Sequence, residues 1–236
     1  MTTESAVLVT VEAALAVMSA GLALRGRWRL SRTFAAYVVV VWACESLVLI
    51  RPHRFYAPWF WMAKQALYDV LKLGIALELA WRTFRVFPGA QVAARRAALA
   101  ILGLTTLAIV AAPTDNSTAD LFLIASGQLH PRLLNGTIWL MAATLALAQW
   151  YRIPVHPFHA ALLASFAAYL TLFGALLRLE GVYGWAAQRY LNAIDPPAYL
   201  LLVCWWAWIA WRPESATASA HAETIHKLQL KAASCG

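Results

Sequence analysis

Seven apolar stretches divide this chain, and they constrain its fold more than any other feature of the sequence. Most of them approach the roughly 20 residues that a helix needs to cross the hydrocarbon core of a bilayer. The sequence therefore predicts an all-α, polytopic membrane protein built as a bundle of seven transmembrane helices. The predicted spans are residues 6–24, 33–50, 59–81, 97–112, 133–151, 158–177 and 198–211, and residues 213–236 form a short tail.

Basic residues are shared unevenly between the connections that join these spans. Twelve Lys and Arg residues follow the odd-numbered spans, whereas five lie in the even-numbered connections. Positive residues accumulate on the cytoplasmic side of membrane proteins, so we expect the N-terminus outside and the tail in the cytoplasm of a bacterial inner-membrane, multi-pass protein. The crowded set is Arg25, Arg27, Arg29, Arg32, Arg82, Arg85, Arg95, Arg96, Arg152, Arg212, Lys227 and Lys231, and the sparse set is Arg51, Arg54, Arg132, Arg178 and Arg189.

Composition supports the same class of protein. Hydrophobic residues make up 62% of the chain and charged residues 13%, a combination that excludes an ordinary soluble domain. The formal charge of +8 does not indicate a nucleic-acid partner, because most basic residues fall in short connections at membrane ends. There they orient helices and contact anionic headgroups, so the lipid bilayer is the expected partner.

The third span carries an unusual concentration of polar side chains. Lys64, Gln65, Tyr68, Asp69 and Lys72 project from one broad face at the helical period of about 100° per residue. Charged groups facing lipid are unfavourable, so this span is expected at the centre of the bundle. We also expect Asp69 to pair with Lys72 one turn away.

The first two spans add glutamates at a similar depth. At about 1.5 Å per residue, Glu12 and Glu45 lie about 9 Å from the outer helix ends, and Asp69 and Lys72 about 14 and 18 Å. One interpretation is that these charges only pair across spans one to three, for example Glu45 with Lys72. The candidate ligand-binding or intramembrane charge cluster is Glu12, Glu45, Lys64, Tyr68, Asp69 and Lys72.

The alternative interpretation is a polar cavity that opens to the outside. Lys72 would form its floor, since residues 73–77 carry no polar side chain. Glu78 lies nearer the cytoplasm, where we expect it to pair with Arg82. The residues expected at the outer rim are Arg51, Arg54, His130, Arg132, Asn135, Arg178, Glu180 and Asp195.

Prolines and the long outer connection complete the expected topology. All ten prolines are placed at helix ends or in connections, which predicts uninterrupted spans. Many secondary transporters interrupt a helix at mid-membrane to build a substrate site, so this pattern disfavours a transporter. Residues 118–129 of the outer connection are interpreted either as a short surface helix or as a polar loop.

Sequence motifs for catalysis and cofactor binding are absent. No metalloprotease, nucleophile-elbow or phosphate-loop pattern occurs, so we expect no catalytic residues and no enzyme activity. The cysteines give no metal-ligand spacing. The six histidines fall outside the spans or at their ends, which disfavours a haem. We therefore expect neither a metal nor a cofactor.

The first half of the chain carries a recognisable set of motifs. They are the run from Glu45 to Arg51, Tyr56, Trp59, Leu77-Glu78-Leu79, Pro88-Gly89 and Arg95-Arg96. This set resembles an uncharacterised seven-helix membrane protein family of soil bacteria, notably acidobacteria, in which a similar glutamate and a Leu-Glu pair recur. The likeness covers the first four spans best and implies an architecture similar to the seven-helix input modules of bacterial sensor proteins.

These features predict a sensor- or receptor-like, or scaffolding, membrane protein without a catalytic domain. It would bind a small polar or amphipathic ligand from the outside and signal to a protein partner through its cytoplasmic connections. One alternative is a carrier or proton pathway that uses Glu12, Glu45 and Asp69, because chains of carboxylates relay protons in pumps. Another alternative is an accessory subunit of a larger membrane complex.

Overall fold

The computed structural model of this chain is helical throughout the part that it describes. It describes residues 3–55, 57–85, 129–153 and 155–213, together with five single positions between 96 and 107. The predicted span 97–112, the segment 118–129 and the tail beyond residue 213 therefore lie largely or wholly outside the described residues. The long helices are α1 (Thr3–Leu24), α2 (Arg32–Ile50), α3 (Pro58–Arg85), α4 (His130–Trp150), α5 (Pro157–Tyr183) and α6 (Trp185–Trp211).

Four of these helices are long and apolar enough to cross a membrane, which suggests a membrane protein. They are α2, α4, α5 and the part of α6 that begins at Ala186. In α1 the apolar helix is shorter and covers Val9–Leu24. Helix α3 has 28 residues, but Lys64, Asp69 and Lys72 reduce its apolar character.

The six long helices form a closed ring in chain order. Each helix packs against the preceding and following ones, and α6 packs against α1 to close the ring. We call one end of this ring the arginine-rich end, since the α1–α2 turn, the end of α3, the α4–α5 turn and the end of α6 meet there. We call the other the polar end. The arginine-rich end carries Arg25, Arg27, Arg29, Arg82, Arg152 and Arg212.

A cross-helix cap fixes the beginning of α2 at the arginine-rich end. Ser31 is the N-cap residue, and its hydroxyl donates to Oε2 of Glu78 over 3.0 Å. The backbone N–H groups of Arg32 and Thr33 donate to the same carboxylate over 3.1 and 2.8 Å. Such first-turn donors have no partner within their own helix, so the Glu78 carboxylate in α3 satisfies them and joins the two helices. The predicted pairing of Glu78 with Arg82 is confirmed, with Nε to Oε1 at 2.9 Å.

An aromatic core fills the ring between its polar layer, described below, and the arginine-rich end. Phe34 lies edge-to-face against Phe158, Phe166 and Trp206, with ring centroids 6.1, 6.1 and 5.3 Å away. Trp206 is fully buried, and its indole N–H donates to Ser165 Oγ over 2.9 Å. Edge-to-face contacts add to the free energy gained by burying such large rings. We call Phe34, Phe158, Phe166 and Trp206 the aromatic core.

The last helix differs from the sequence prediction. It begins at Trp185 rather than at 198, and Pro196 and Pro197 lie inside it. The prediction that every proline lies at a helix end or in a connection is therefore wrong. A proline lacks the N–H that would donate to the carbonyl four residues earlier. The backbone carbonyls of Asn192 and Ala193 therefore have no helical N–H donor. Pro131, in contrast, lies in the first turn of α4, where proline is favoured.

Candidate functional site

A group of buried polar and charged side chains lies where α3 contacts α4. Oδ2 of Asp69 lies 2.6 Å from Nδ1 of His130, and Oδ1 accepts from Gln65 over 3.2 Å and from the Lys72 ammonium over 3.4 Å. Asp69 is 3% exposed, and Lys72 and His130 are each 8% exposed. We call these four residues the Asp69 cluster. The predicted pair between Asp69 and Lys72 is confirmed.

The short contact between Asp69 and His130 requires one proton between Oδ2 and Nδ1, carried either by the imidazole or by the carboxyl group. The amide nitrogen of Gln65, which can only donate, also lies 3.0 Å from Nδ1. The distance of 2.6 Å between Oδ2 and Nδ1 is short, as in charge-assisted hydrogen bonds. Helical spacing accounts for the rest of the cluster, because residues three and four positions apart share a face. Gln65, Asp69 and Lys72 therefore converge on one point, which the first residue of α4 completes.

A second group joins α2 to α3 nearer the polar end. The ammonium of Lys64 lies 3.0 Å from Oε1 of Glu45, and the hydroxyl of Tyr68 donates to the same oxygen over 3.2 Å. Lys64 also lies 5.9 Å from the centroid of the Tyr68 ring. The side chains of Lys64 and Glu45 are 17% and 23% exposed, so this group is more accessible than the Asp69 cluster.

A third group joins α5 to α6. The hydroxyl of Tyr169 donates to Oδ1 of Asp195 over 2.9 Å. Lys72 lies close enough to Asp195 for an electrostatic interaction, which connects this pair to the Asp69 cluster. We call the three groups together the polar layer, to which five helices contribute. Its members are Glu45, Lys64, Gln65, Tyr68, Asp69, Lys72, His130, Tyr169 and Asp195.

Glu12 brings α1 to the edge of this layer. Its Oε2 accepts from the hydroxyl of Ser46 over 3.1 Å, and it interacts electrostatically with Glu45. Its Oε1 is buried and has no hydrogen-bond partner among the described residues. A buried carboxylate oxygen without a donor is unfavourable, so this position favours a protonated carboxyl or an additional donor.

The charges of the polar layer and the adjoining Glu12 do not balance when all their carboxyl groups are ionised. The four carboxylates, those of Glu12, Glu45, Asp69 and Asp195, then face two ammonium groups, those of Lys64 and Lys72. A protonated His130 would leave one negative charge in excess. Uncompensated charges in the membrane interior are strongly unfavourable, so the layer favours an additional proton or another cation.

The structure separates the predicted cluster residues from some of the predicted rim residues. Five of the six residues predicted for the cluster belong to the polar layer, and the sixth, Glu12, lies beside it. Glu45 contacts Lys64 and Tyr68, so its predicted pairing with Lys72 is not observed. His130 is buried in the Asp69 cluster rather than at a rim, and Asp195 is partly buried and accepts from Tyr169. Of the other predicted rim residues, Arg51, Arg54 and Arg178 are exposed, and Arg132, Asn135 and Glu180 are partly buried.

Tyrosines are the functional candidates that sequence reasoning missed. Tyr169 binds Asp195, and the hydroxyls of Tyr37 and Tyr199 interact with each other in the same part of the ring. Each of the three lies in an apolar helix, where a buried hydroxyl needs a partner. That requirement is the signal that would have identified them.

Comparison of the chain with known protein families, with curated proteins and with solved structures found no match. The described residues contain no group of three or more His, Cys, Asp and Glu side chains that is arranged to hold a metal ion. The chemical capacity of the site is therefore that of the polar layer itself. Its carboxyl, imidazole and phenol groups can accept protons and bind a cationic or hydrogen-bonding group.

Proposed function

We propose that this chain is a seven-span protein of a bacterial inner membrane, with its N-terminus outside and its tail in the cytoplasm. The ring supports this topology, because α3 ends at the arginine-rich end and α4 begins toward the polar end. One further span between these two parallel helices, as predicted for 97–112, accounts for that arrangement. The arginine-rich end then lies in the cytoplasm, and the polar layer lies in the outer half of the membrane.

We propose further that the protein is a sensor- or receptor-like membrane protein that binds a small cationic ligand from the outside. The observation that carries this proposal is the excess of carboxyl groups over basic groups in the polar layer and the adjoining Glu12 taken together. The aromatic core between the polar layer and the arginine-rich end also supports a receptor. It closes the interior of the ring to water, so a ligand can reach the layer from one side of the membrane only. Lys64 and Lys72 are both paired with carboxylates, so neither offers a free ammonium group to an anionic ligand.

Ligand binding in this layer has a direct route to helix movement. A ligand ammonium at Asp69 or Asp195 would compete with Lys72 and His130, and His130 begins α4. A change in that contact alters how α3 packs against α4, and α3 carries Glu78 at its other end. The Glu78 cap would transmit the change to the start of α2 on the cytoplasmic side. A protein partner bound to the cytoplasmic connections would receive the signal.

A thermal-stability screen of the purified protein tests this function. Small primary, quaternary and aromatic amines are compared with carboxylates of similar size. We expect a subset of amines to raise the melting temperature of the natural chain and to have no effect on Asp69→Asn. Arg178→Gln is the control, because Arg178 is exposed and its hydrogen bond within the described part of the chain goes to Asn135 over 3.4 Å. Stabilisation by carboxylates alone, or an equal response of Asp69→Asn, would contradict the proposal.

A carrier is the second candidate, and one observation favours it. Pro196 and Pro197 interrupt the hydrogen bonding of α6 directly after Asp195, which belongs to the polar layer. Freed backbone carbonyls beside a carboxylate are typical of coupling-ion sites in transporters. Reconstituted liposomes with an imposed pH gradient separate the two functions. Proton flux that Asp69→Asn abolishes would favour the carrier, and the absence of flux with intact amine binding would favour the receptor.

A further inference from the structure

A cavity at the arginine-rich end is separate from the polar layer. It has a volume of about 160 Å³ and lies between the 3-10 turn Arg27–Arg29, the start of α5 and the end of α6. That volume is well above the roughly 15 Å³ that one water needs and below the roughly 300 Å³ of small-molecule pockets. A compact chemical group fits it better than a whole small molecule. The walls include Arg27, His156, Phe158, Trp205, Trp208 and Arg212.

The cavity is electropositive, and its charge is held in place. Arg27 is buried, and its guanidinium donates to the carbonyl oxygens of Ile209 and Arg212 and lies 5.8 Å from the centroid of the Phe158 ring. The Arg212 guanidinium lies 5.0 Å from the centroid of the Trp208 indole. None of the described residues that line the cavity is an aspartate or a glutamate.

The N-terminus of α5 adds to the positive electrostatic potential of the cavity. His156 is the N-cap residue of α5, and the helix begins at Pro157, which also lines the cavity. The first turn of a helix carries a partial positive charge, which attracts anions. Two arginines and a helix N-terminus therefore converge on one small volume.

One wall of the cavity faces the outside of the ring. Trp205 and Trp208 are 44% and 50% exposed, and their ring centroids lie 4.9 Å apart on the outer surface of α6. Tryptophans at a helix end mark the level of the lipid headgroups. The cavity thus opens where a phospholipid places its phosphate, with its acyl chains along the two indoles.

We propose that this cavity binds the phosphate of an anionic phospholipid headgroup. Arg212 and the fixed charge of Arg27 bind the phosphate oxygens, and Trp205 and Trp208 contact the glycerol and the upper acyl chains. The bound lipid would join α5, α6 and the α1–α2 turn. This site lies at the opposite end of the ring from the polar layer, so it does not depend on the function proposed for that layer.

Native mass spectrometry of the detergent-solubilised protein tests the proposal. Phosphatidylglycerol is titrated against phosphatidylcholine with the same acyl chains. We expect one phosphatidylglycerol to bind preferentially, and Arg212→Gln to weaken that binding about fivefold, as expected for one basic residue at a membrane surface. Arg29→Gln is the matched control, because Arg29 is exposed at the same end and lies 5.3 Å from the centroid of Trp28, outside the cavity.

The second variant is Arg27→Lys, and inorganic phosphate is added as a soluble ligand for comparison with the lipids. Arg27→Lys retains the charge but not the planar fork that holds both carbonyl groups, and we expect it to weaken phosphatidylglycerol binding in folded protein. Equal weakening by Arg29→Gln and Arg212→Gln would overturn the proposal, since general surface charge would then explain binding. Equal binding of the two lipids would overturn the assignment to an anionic lipid, and binding of inorganic phosphate without binding of either lipid would overturn the assignment to a lipid.

Discussion

Nδ1 of His130 lies 2.6 Å from Oδ2 of Asp69, across the contact between α3 and α4. Both residues are buried, and Lys72 and Gln65 bind the other oxygen of the same carboxylate. One carboxyl group thus connects two helices through three side chains, those of His130, Gln65 and Lys72. We therefore expect the packing of the polar layer to depend on Asp69.

Replacing Asp69 is expected to destabilise the protein strongly. Asp69→Asn leaves the Lys72 ammonium buried without its closest counter-charge and weakens the bond to His130, so we expect a loss of about 3 kcal/mol in the free energy of unfolding. Unfolding in mixed detergent and SDS micelles measures the change. Arg178→Gln, which alters only an exposed contact, should change stability by less than about 0.5 kcal/mol. A loss for Asp69→Asn no larger than that of the control would contradict the structure.

The partner of Glu45 can be identified by double-mutant cycles. Glu45 contacts Lys64 at 3.0 Å, whereas Lys72 contacts Asp69. Glu45→Gln combined with Lys64→Met should show a coupling of about 1 kcal/mol. Glu45→Gln combined with Lys72→Met should be close to additive. Stronger coupling to Lys72 than to Lys64 would mean that the charges are paired differently.

Two glycines allow a matched test of packing between helices. A Cβ atom at Gly21 would lie 2.7 Å from Nε1 of Trp211, which donates to the carbonyl of Val17 over 2.9 Å. Gly21→Ala must therefore displace the indole, and we expect a loss of about 1–3 kcal/mol in stability. A Cβ at Gly174 would lie 3.5 Å from Leu134, which is ordinary contact. Gly174→Ala should be tolerated. A larger loss of stability for Gly174→Ala than for Gly21→Ala would contradict the packing of α1 on α6.

The cross-helix cap at Glu78 predicts a difference between two variants. Glu78→Ala removes the acceptor for Ser31, Arg32 and Thr33, so we expect a loss of about 1–2 kcal/mol in stability. Arg82→Gln removes the ion pair with Glu78 but leaves the cap in place, and it should lower stability by less than about 0.5 kcal/mol. Thermal unfolding of the two purified variants compares them. Equal losses would indicate that the ion pair, rather than the cap, stabilises the start of α2.

Helix positions followed from sequence wherever local signals agreed. The predicted span 33–50 matches α2, because Ser31 is a favoured N-cap residue and an apolar run follows it. The prediction for the last span failed at Pro196-Pro197. Two prolines usually indicate a boundary, but packing of α6 against α1 and α5 continues the helix back to Trp185.

The composition of the polar layer was partly predictable. The polar face of α3 was evident from helical spacing within one segment, as was the Asp69–Lys72 pair. The contact between Asp69 and His130 was not, because the residues lie on helices separated by a long connection. Asp195 was assigned to the rim for a related reason, since its environment depends on where α5 places Tyr169. Short-range patterns identify such faces, and long-range packing decides which faces meet.

Cysteine labelling from each side of the membrane tests most directly that the polar layer is reached from outside. Cys44, Cys204 and Cys235 are first replaced by alanine, and Lys64→Cys is compared with Arg25→Cys at the arginine-rich end. We predict that a membrane-impermeant maleimide labels Lys64→Cys in intact cells and labels Arg25→Cys only in inverted vesicles. Labelling of Lys64→Cys only in inverted vesicles, or from neither side, would contradict the account.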